Sequence, residues 1–201
     1  MKPWLRLTAA ACLLVAAMVA QAGRTCEQKP PELGSVMRSL ELAERTAAAL
    51  DASGAQVVVL ARAGQDLSRW GLRWSHLGWA YRETEGAGTG GEAPGTWRIV
   101  HKLNQCGSAE AALFRQGLAE FFLDDPYEYR AAFAVPRPEV QALLLPLLRD
   151  NARATQLHES AYNMLAYPWS TRYQQSNQWA IETLALAHGP VTATRQQAQQ
   201  W

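Results

Sequence analysis

Residues 86 to 95, Gly-Ala-Gly-Thr-Gly-Gly-Glu-Ala-Pro-Gly, place five glycines and a proline in one short stretch. No helix or strand interior holds that density of residues with permissive or blocked backbones. On its two sides lie β-rich runs, Ser75 to Tyr81 with bulky and small residues alternating, and Trp97 to Leu103. The glycine-rich stretch therefore reads as a flexible hairpin connection, and the middle of the chain as antiparallel sheet.

The rest of the chain mixes both periodicities. Met37, Leu40, Ala43, Ala47 and Leu50 recur at three-and-four spacing and predict a helix over 33–51. Gln56 to Ala61 predicts a strand, and Gly64-Gln65-Asp66-Leu67 a turn. Ala112, Leu113, Leu118, Phe121 and Phe122 suggest one buried stripe on a helix from about Ser108 to Phe122, stopped by Asp124-Asp125-Pro126. A strand over 130–135 and helices over 138–149 and 178–188 follow, the first of these helices with proline early, where its missing N–H does no harm. There is no internal repeat. The pattern is α+β, in one domain over residues 23–201.

The N-terminus predicts export. Lys2 and Arg6 precede an uncharged run from Leu7 to Ala20, and Ala20-Gln21-Ala22 offers small residues at both positions a signal peptidase reads. The run falls short of the roughly 20 residues that cross a bilayer, and neither Cys12 nor Cys26 has the setting of a lipid-attachment site. Residues 1–22 are thus expected to be a cleaved signal peptide, leaving no stable membrane anchor and a periplasmic or secreted protein. The full chain carries 19 Lys plus Arg against 18 Asp plus Glu; without Lys2 and Arg6 the balance is 17 against 18. Such a balance gives no electrostatic reason to expect nucleic acid or an anionic membrane surface as a partner. Cys26 and Cys106 remain, and in an oxidising compartment an even pair is expected to form a disulfide. No further Cys or His lies at metal-ligand spacing, and no cofactor is called for.

At the other end, Thr192 or Thr194 can cap a helix running through Arg195 to Gln200, with no stop signal before Trp201. We expect residues 192–201 to be helical and weakly packed beside an open apolar patch, as in a domain cut short.

The turn Gly64-Gln65-Asp66-Leu67 followed by Ser75-His76-Leu77-Gly78 resembles the front half of the permuted papain-like hydrolases of the NlpC type. More closely, the chain resembles a family of secreted proteobacterial proteins, number 2145 among the domains of unknown function. The pieces that carry this are those two motifs with Leu103-Asn104-Gln105-Cys106-Gly107, Phe121 to Pro126, Tyr162 to Leu165 and Ser176-Asn177-Gln178-Trp179. The NlpC-type resemblance implies a small antiparallel sheet packed on helices, with His76 as catalytic base and a nucleophile at the start of the last core helix. Ser176 stands where that family has cysteine. His101 or Asn104 on the partner strand would orient the imidazole, as the third group does in a triad.

Each residue also has a plainer reading. Ser176 before Asn177-Gln178 fits a helix cap, His76 a hydrogen-bonded strand histidine, and Asp66 the organiser of its own turn. Trp79 and Trp97 fit the core, whereas Trp70, Trp74 and Trp169 flank the expected cleft. Two functions follow: hydrolysis of an amide or ester bond in a cell-envelope peptide, glycan or lipid, or binding of an envelope ligand or protein by a relative without activity.

Overall fold

The computed structural model describes residues 30–83, 95–124, 126–189 and 192–201. Helix α1 (Leu33–Ala52) precedes β1 (Val57–Ala63), a 3-10 turn (Ser68–Trp70), β2 (His76–Glu83) and β3 (Thr96–Asn104). Then come β4 (Ala111–Gly117), α2 (Leu118–Phe122), β5 (Glu128–Ala134), α3 (Pro138–Arg149), α4 (Asn151–Thr155), α5 (Ser176–His188) and α6 (Arg195–Gln200). The strands form one sheet in the order β4-β3-β2-β1-β5, every neighbouring pair antiparallel. The fold is α+β. The connection at 86–95 lies outside the described residues except for Gly95, but β2 and β3 pair as its two arms.

Both faces of the sheet are covered, so its strands alternate between two cores rather than between core and water. Val57, Trp79, Tyr81 and Val100 face α3 and α5, meeting Leu144, Leu147, Leu148 and Trp179. Val58, Leu60, Ala80 and Ile99 face α1 and α2, meeting Leu42, Leu50, Phe121 and Phe122. The Trp79 indole N–H donates to Ala180 O at 3.0 Å, fixing α5 on the first face. On the second, Ser39 Oγ donates to Phe122 O at 2.9 Å.

The expected helix over 108–122 is corrected. Residues 111–117 are edge strand β4, and only 118–122 are helical. Gly107 adopts φ +72°, a left-handed position that reverses the chain, and Gln105 N–H closes onto Glu110 O at 2.7 Å. Ala111 to Gln116 are mostly good helix formers, but pairing with β3 from Asn104↔Ala111 to Arg98↔Gly117 outweighs that local preference. Cys106 lies in this exposed turn, while Cys26, its expected partner, lies outside the described residues.

The C-terminal segment is helical from Arg195 to Gln200, with Thr194 capping it. Its packing is divided, with Trp201 61% exposed while two contacts tie the helix down. Ala198 is buried, and the Arg195 guanidinium reaches into the domain to Glu182 at 2.9 Å.

Candidate functional site

The two motifs of the β1–β2 connection lock onto each other. Ser75 Oγ accepts the N–H groups of Gly64 at 2.8 Å and Gln65 at 3.0 Å. Asp66 accepts Ser68 N–H at 2.9 Å and organises its own turn; hydrogen bonds from Ser68 hold its carboxyl below the usual range. Ser75 N–H donates to Arg62 O, which brings the start of β2 beside Arg62.

His76 then meets His101. Its Nε2 lies 2.8 Å from His101 Nδ1, and His101 Nε2 lies 2.6 Å from Gln116 Oε1. Gln116 Nε2 donates to Glu120 at 3.1 Å, which leaves its oxygen as the acceptor for His101 Nε2–H. His101 Nδ1 is therefore an acceptor, and His76 Nε2–H the donor to it. His76 keeps its unprotonated Nδ1. Gly78 stands opposite this contact: a Cβ there would come within 2.7 Å of both His101 Cβ and Val100 O. The glycine of the Ser-His-Leu-Gly motif thus clears the space that His101 occupies.

Both imidazoles are neutral at pH 7. Burial pushes the His76 pKa well down, and Arg62 and His101 add to it. His101 falls to about 4, chiefly through burial, with Arg62 lowering it further against the Gln116 bond. The Arg62 guanidinium lies 4.7 Å over the Phe121 ring, donates to Phe121 O and pairs with Asp124 at 2.5 Å. The Phe121 ring meets His101 edge-on at 5.1 Å. This is a neutral, oriented acid–base pair roofed by an aromatic ring.

The structure does not bring Ser176 to it. Along β3, His101 faces α2, while Lys102 faces the α5 side. Ser176 opens α5, which packs on the Trp79 face, and its Oγ donates to Lys102 O at 2.7 Å, so the expected hydrogen bond between Ser176 and His76 is not made. The cap reading is corrected too. Gln175, whose side chain accepts Asn177 N–H at 3.1 Å, caps α5, and Ser176 ties the helix to β3. Of the two expected orienters, His101 lies within hydrogen-bond reach of His76; Asn104 ends β3 opposite Ala111 and makes no side-chain bond to either histidine.

Sequence reasoning missed the cluster around Lys102. Its ammonium donates to Gln174 Oε1 at 2.7 Å and to Glu159 O, and meets His158 Nδ1 at 3.3 Å. Burial and Arg195 lower its pKa to about 8. Gln174 continues to Glu182 at 2.5 Å, and Glu182 to Arg195. Glu182 carried a signal, as the one charged side chain of α5 apart from His188, whereas Lys102 stands in a strand that already holds Arg98 and His101.

A groove of about 480 Å³ lies between α1 and β5, lined among others by Leu42, Arg45, Arg73, Trp74, Arg130 and Phe133. The tryptophans divide: Trp79, Trp97 and Trp179 are core, whereas Trp70, Trp74 and Trp169 are exposed. Among the described residues no three His, Cys, Asp or Glu side chains gather as metal ligands, and no helix is long and apolar enough to cross a membrane.

The family model "Uncharacterized protein conserved in bacteria (DUF2145)" matches residues 49–201. No curated protein and no solved structure matches the chain.

Proposed function

We propose, for a chain that belongs to the DUF2145 family of bacterial proteins, an exported envelope domain that binds an extended acidic peptide segment rather than hydrolysing one. The observation that carries this is the position of Ser176: its hydroxyl is spent on Lys102 O, and His76 Nε2 is bonded to His101 rather than to it. His76 and His101 hydrogen-bond to each other, and Ser176, the expected nucleophile, is bonded elsewhere. The role of the two histidines here is to hold β2, β3 and β4 in register around Gly78.

The groove beside β5 is the better place for a ligand. Because β5 is the outermost strand, its outer edge has no neighbouring strand among the described residues, and an extended peptide adds to such an edge by main-chain hydrogen bonds. Arg45, Arg73 and Arg130 ring the groove, against the carboxylate of Glu128 at 3.6 Å from Arg73 and 3.8 Å from Arg130. That excess of cations favours acidic side chains on the incoming strand, and Trp74 and Phe133 favour apolar ones between them. The expected signal peptide and a Cys26–Cys106 bridge belong to the same reading, as features of a protein that works outside the cytoplasm.

Fluorescence anisotropy with a labelled Glu-Leu repeat peptide tests it. Binding is expected to weaken with salt, to fail for the matching Lys-Leu peptide and to fall about tenfold in Arg45→Glu. An activity-based probe for serine and cysteine nucleophiles is expected to leave the wild type unlabelled. Labelling that disappears in Ser176→Ala would overturn the proposal in favour of a hydrolase.

A further inference from the structure

We infer that the loop between α4 and α5 inserts its tip into the interfacial layer of a lipid bilayer. Residues 161–171, Ala-Tyr-Asn-Met-Leu-Ala-Tyr-Pro-Trp-Ser-Thr, contain no charged side chain. Leu165 is 88% exposed, Tyr167 66%, Trp169 62% and Met164 54%. Single exposed apolar residues are ordinary; four within six positions of one loop form a patch that asks for a partner.

The loop does not display them by hanging loose. Asn163 Oδ1 accepts Leu165 N–H at 2.9 Å, Ala166 N–H returns to Asn163 O at 3.0 Å, and Ser170 N–H returns to Tyr167 O at 2.9 Å. From beneath, Gln178 donates to Pro168 O at 2.8 Å, and Arg195 donates to Thr171 O at 2.7 Å and Ser170 O at 3.1 Å. Arg195 is itself fixed by Glu182. The buried cluster on this side of the sheet therefore satisfies the carbonyls at the loop's base and presents its apolar tip outward.

The mixture of side chains selects the occupant. Tyr and Trp with aliphatic neighbours suit the boundary between headgroups and acyl chains, where an amphipathic ring has both surroundings. The Tyr167 and Trp169 rings stand 5.2 Å apart as one aromatic unit. Arg172 follows at the loop's foot, its guanidinium 5.0 Å over the Tyr173 ring, where it can meet lipid phosphates. This inference does not rest on the peptide groove, which lies elsewhere and has its own assay.

Flotation with vesicles of phosphatidylethanolamine and phosphatidylglycerol tests it, using protein without residues 1–22 because that apolar run would itself partition. The expected result is flotation of the wild type, with the lipid-bound fraction falling about tenfold in Leu165→Asp, as the loss of one buried leucine predicts. Brominated lipid is expected to quench tryptophan fluorescence in the wild type and less in Trp169→Phe. Both side chains point to solvent, so unchanged melting curves will show that the variants fold. Absence of flotation, or flotation that Leu165→Asp leaves unchanged, overturns the inference. So does concentration-dependent self-association that Leu165→Asp abolishes without any vesicle binding, which would assign the tip to a second copy of the chain.

Discussion

His101 and Lys102 are neighbours in β3, yet they lead into two different kinds of polar interior. The His101 side is a row of neutral groups. His76, His101 and Gln116 come from three successive strands, 25 and 15 residues apart along the chain, and each donor in the row meets one acceptor. The Lys102 side is charged, and its partners come from far along the chain, from Glu159 and Gln174 onward to Glu182 and Arg195. The neutral row can form as soon as the sheet does. The charged cluster waits for α5 and α6, and in return fixes the last third of the chain on the sheet. A sheet covered on both faces can thus bury polar chemistry twice, once for register and once for closure.

The largest expected effect lies on the charged side. Glu182 receives Arg195, Gln174 and Gln199 at once, and its side chain is 2% exposed. Glu182→Ala leaves the inward-reaching Arg195 guanidinium without its carboxylate and takes one acceptor from each of two amides, and is expected to cost about 3–5 kcal/mol. Urea unfolding measures it, and hydrogen exchange is expected to show residues 163–171 opening first. A loss below about 1 kcal/mol would break the contrast, because the charged cluster would then hold nothing the apolar contacts do not.

Next comes pH, and this effect belongs to the neutral side. The unfolded chain takes up protons on histidine near its ordinary pKa of about 6.5, whereas folded His101 does so only near 4. Between those values the unfolded state binds more protons, so stability is complete above about 6.5 and is lost as pH falls toward 4. The slope is about 1.4 kcal/mol per pH unit for each imidazole kept neutral, and His76, lowered in the same direction, steepens it. Urea midpoints at pH 7, 5.5 and 4.5 are expected to fall steadily in the wild type and less steeply in His101→Gln. An equal slope in both would remove the histidine row as the origin of acid sensitivity.

The two sides also differed in how far they could be read from sequence. The turn at Gly64 to Leu67 and the Ser-His-Leu-Gly strand led to His76 through the resemblance they carry, and the motif order of that resemblance led to His101 or Asn104 on the partner strand. Lys102 looked like one more alternating strand position, since nothing in sequence says that Gln174 and Glu182 will come back to cover it. Ser176 failed for a related reason. Its place before a helix was legible, but which face of the sheet the helix would cover depends on Trp79 and Ala180 meeting, a contact across 101 residues. Most elements followed their periodicity; β4 did not, because an edge strand of Ala, Leu and Gln is made by its neighbour and not by its own preferences.

The smallest expected effect is the one that separates the sides most cleanly. Ser176→Ala removes a single neutral hydrogen bond, from its Oγ to Lys102 O, and is expected to cost about 1 kcal/mol in urea unfolding. Since the hydroxyl lies on the charged side, the loss is expected to be the same at pH 7 and pH 5.5, leaving the histidine slope untouched. A serine hydrogen-bonded to His76 would behave otherwise: its removal would leave the imidazole Nδ1 without its donor and change how readily that ring takes a proton. The pair Ser176→Ala and His101→Gln, measured singly and together at both pH values, makes the comparison direct. Additive costs place the two residues in separate clusters, whereas a pH-dependent coupling above about 0.5 kcal/mol would join them across the sheet and undo the distinction between its faces.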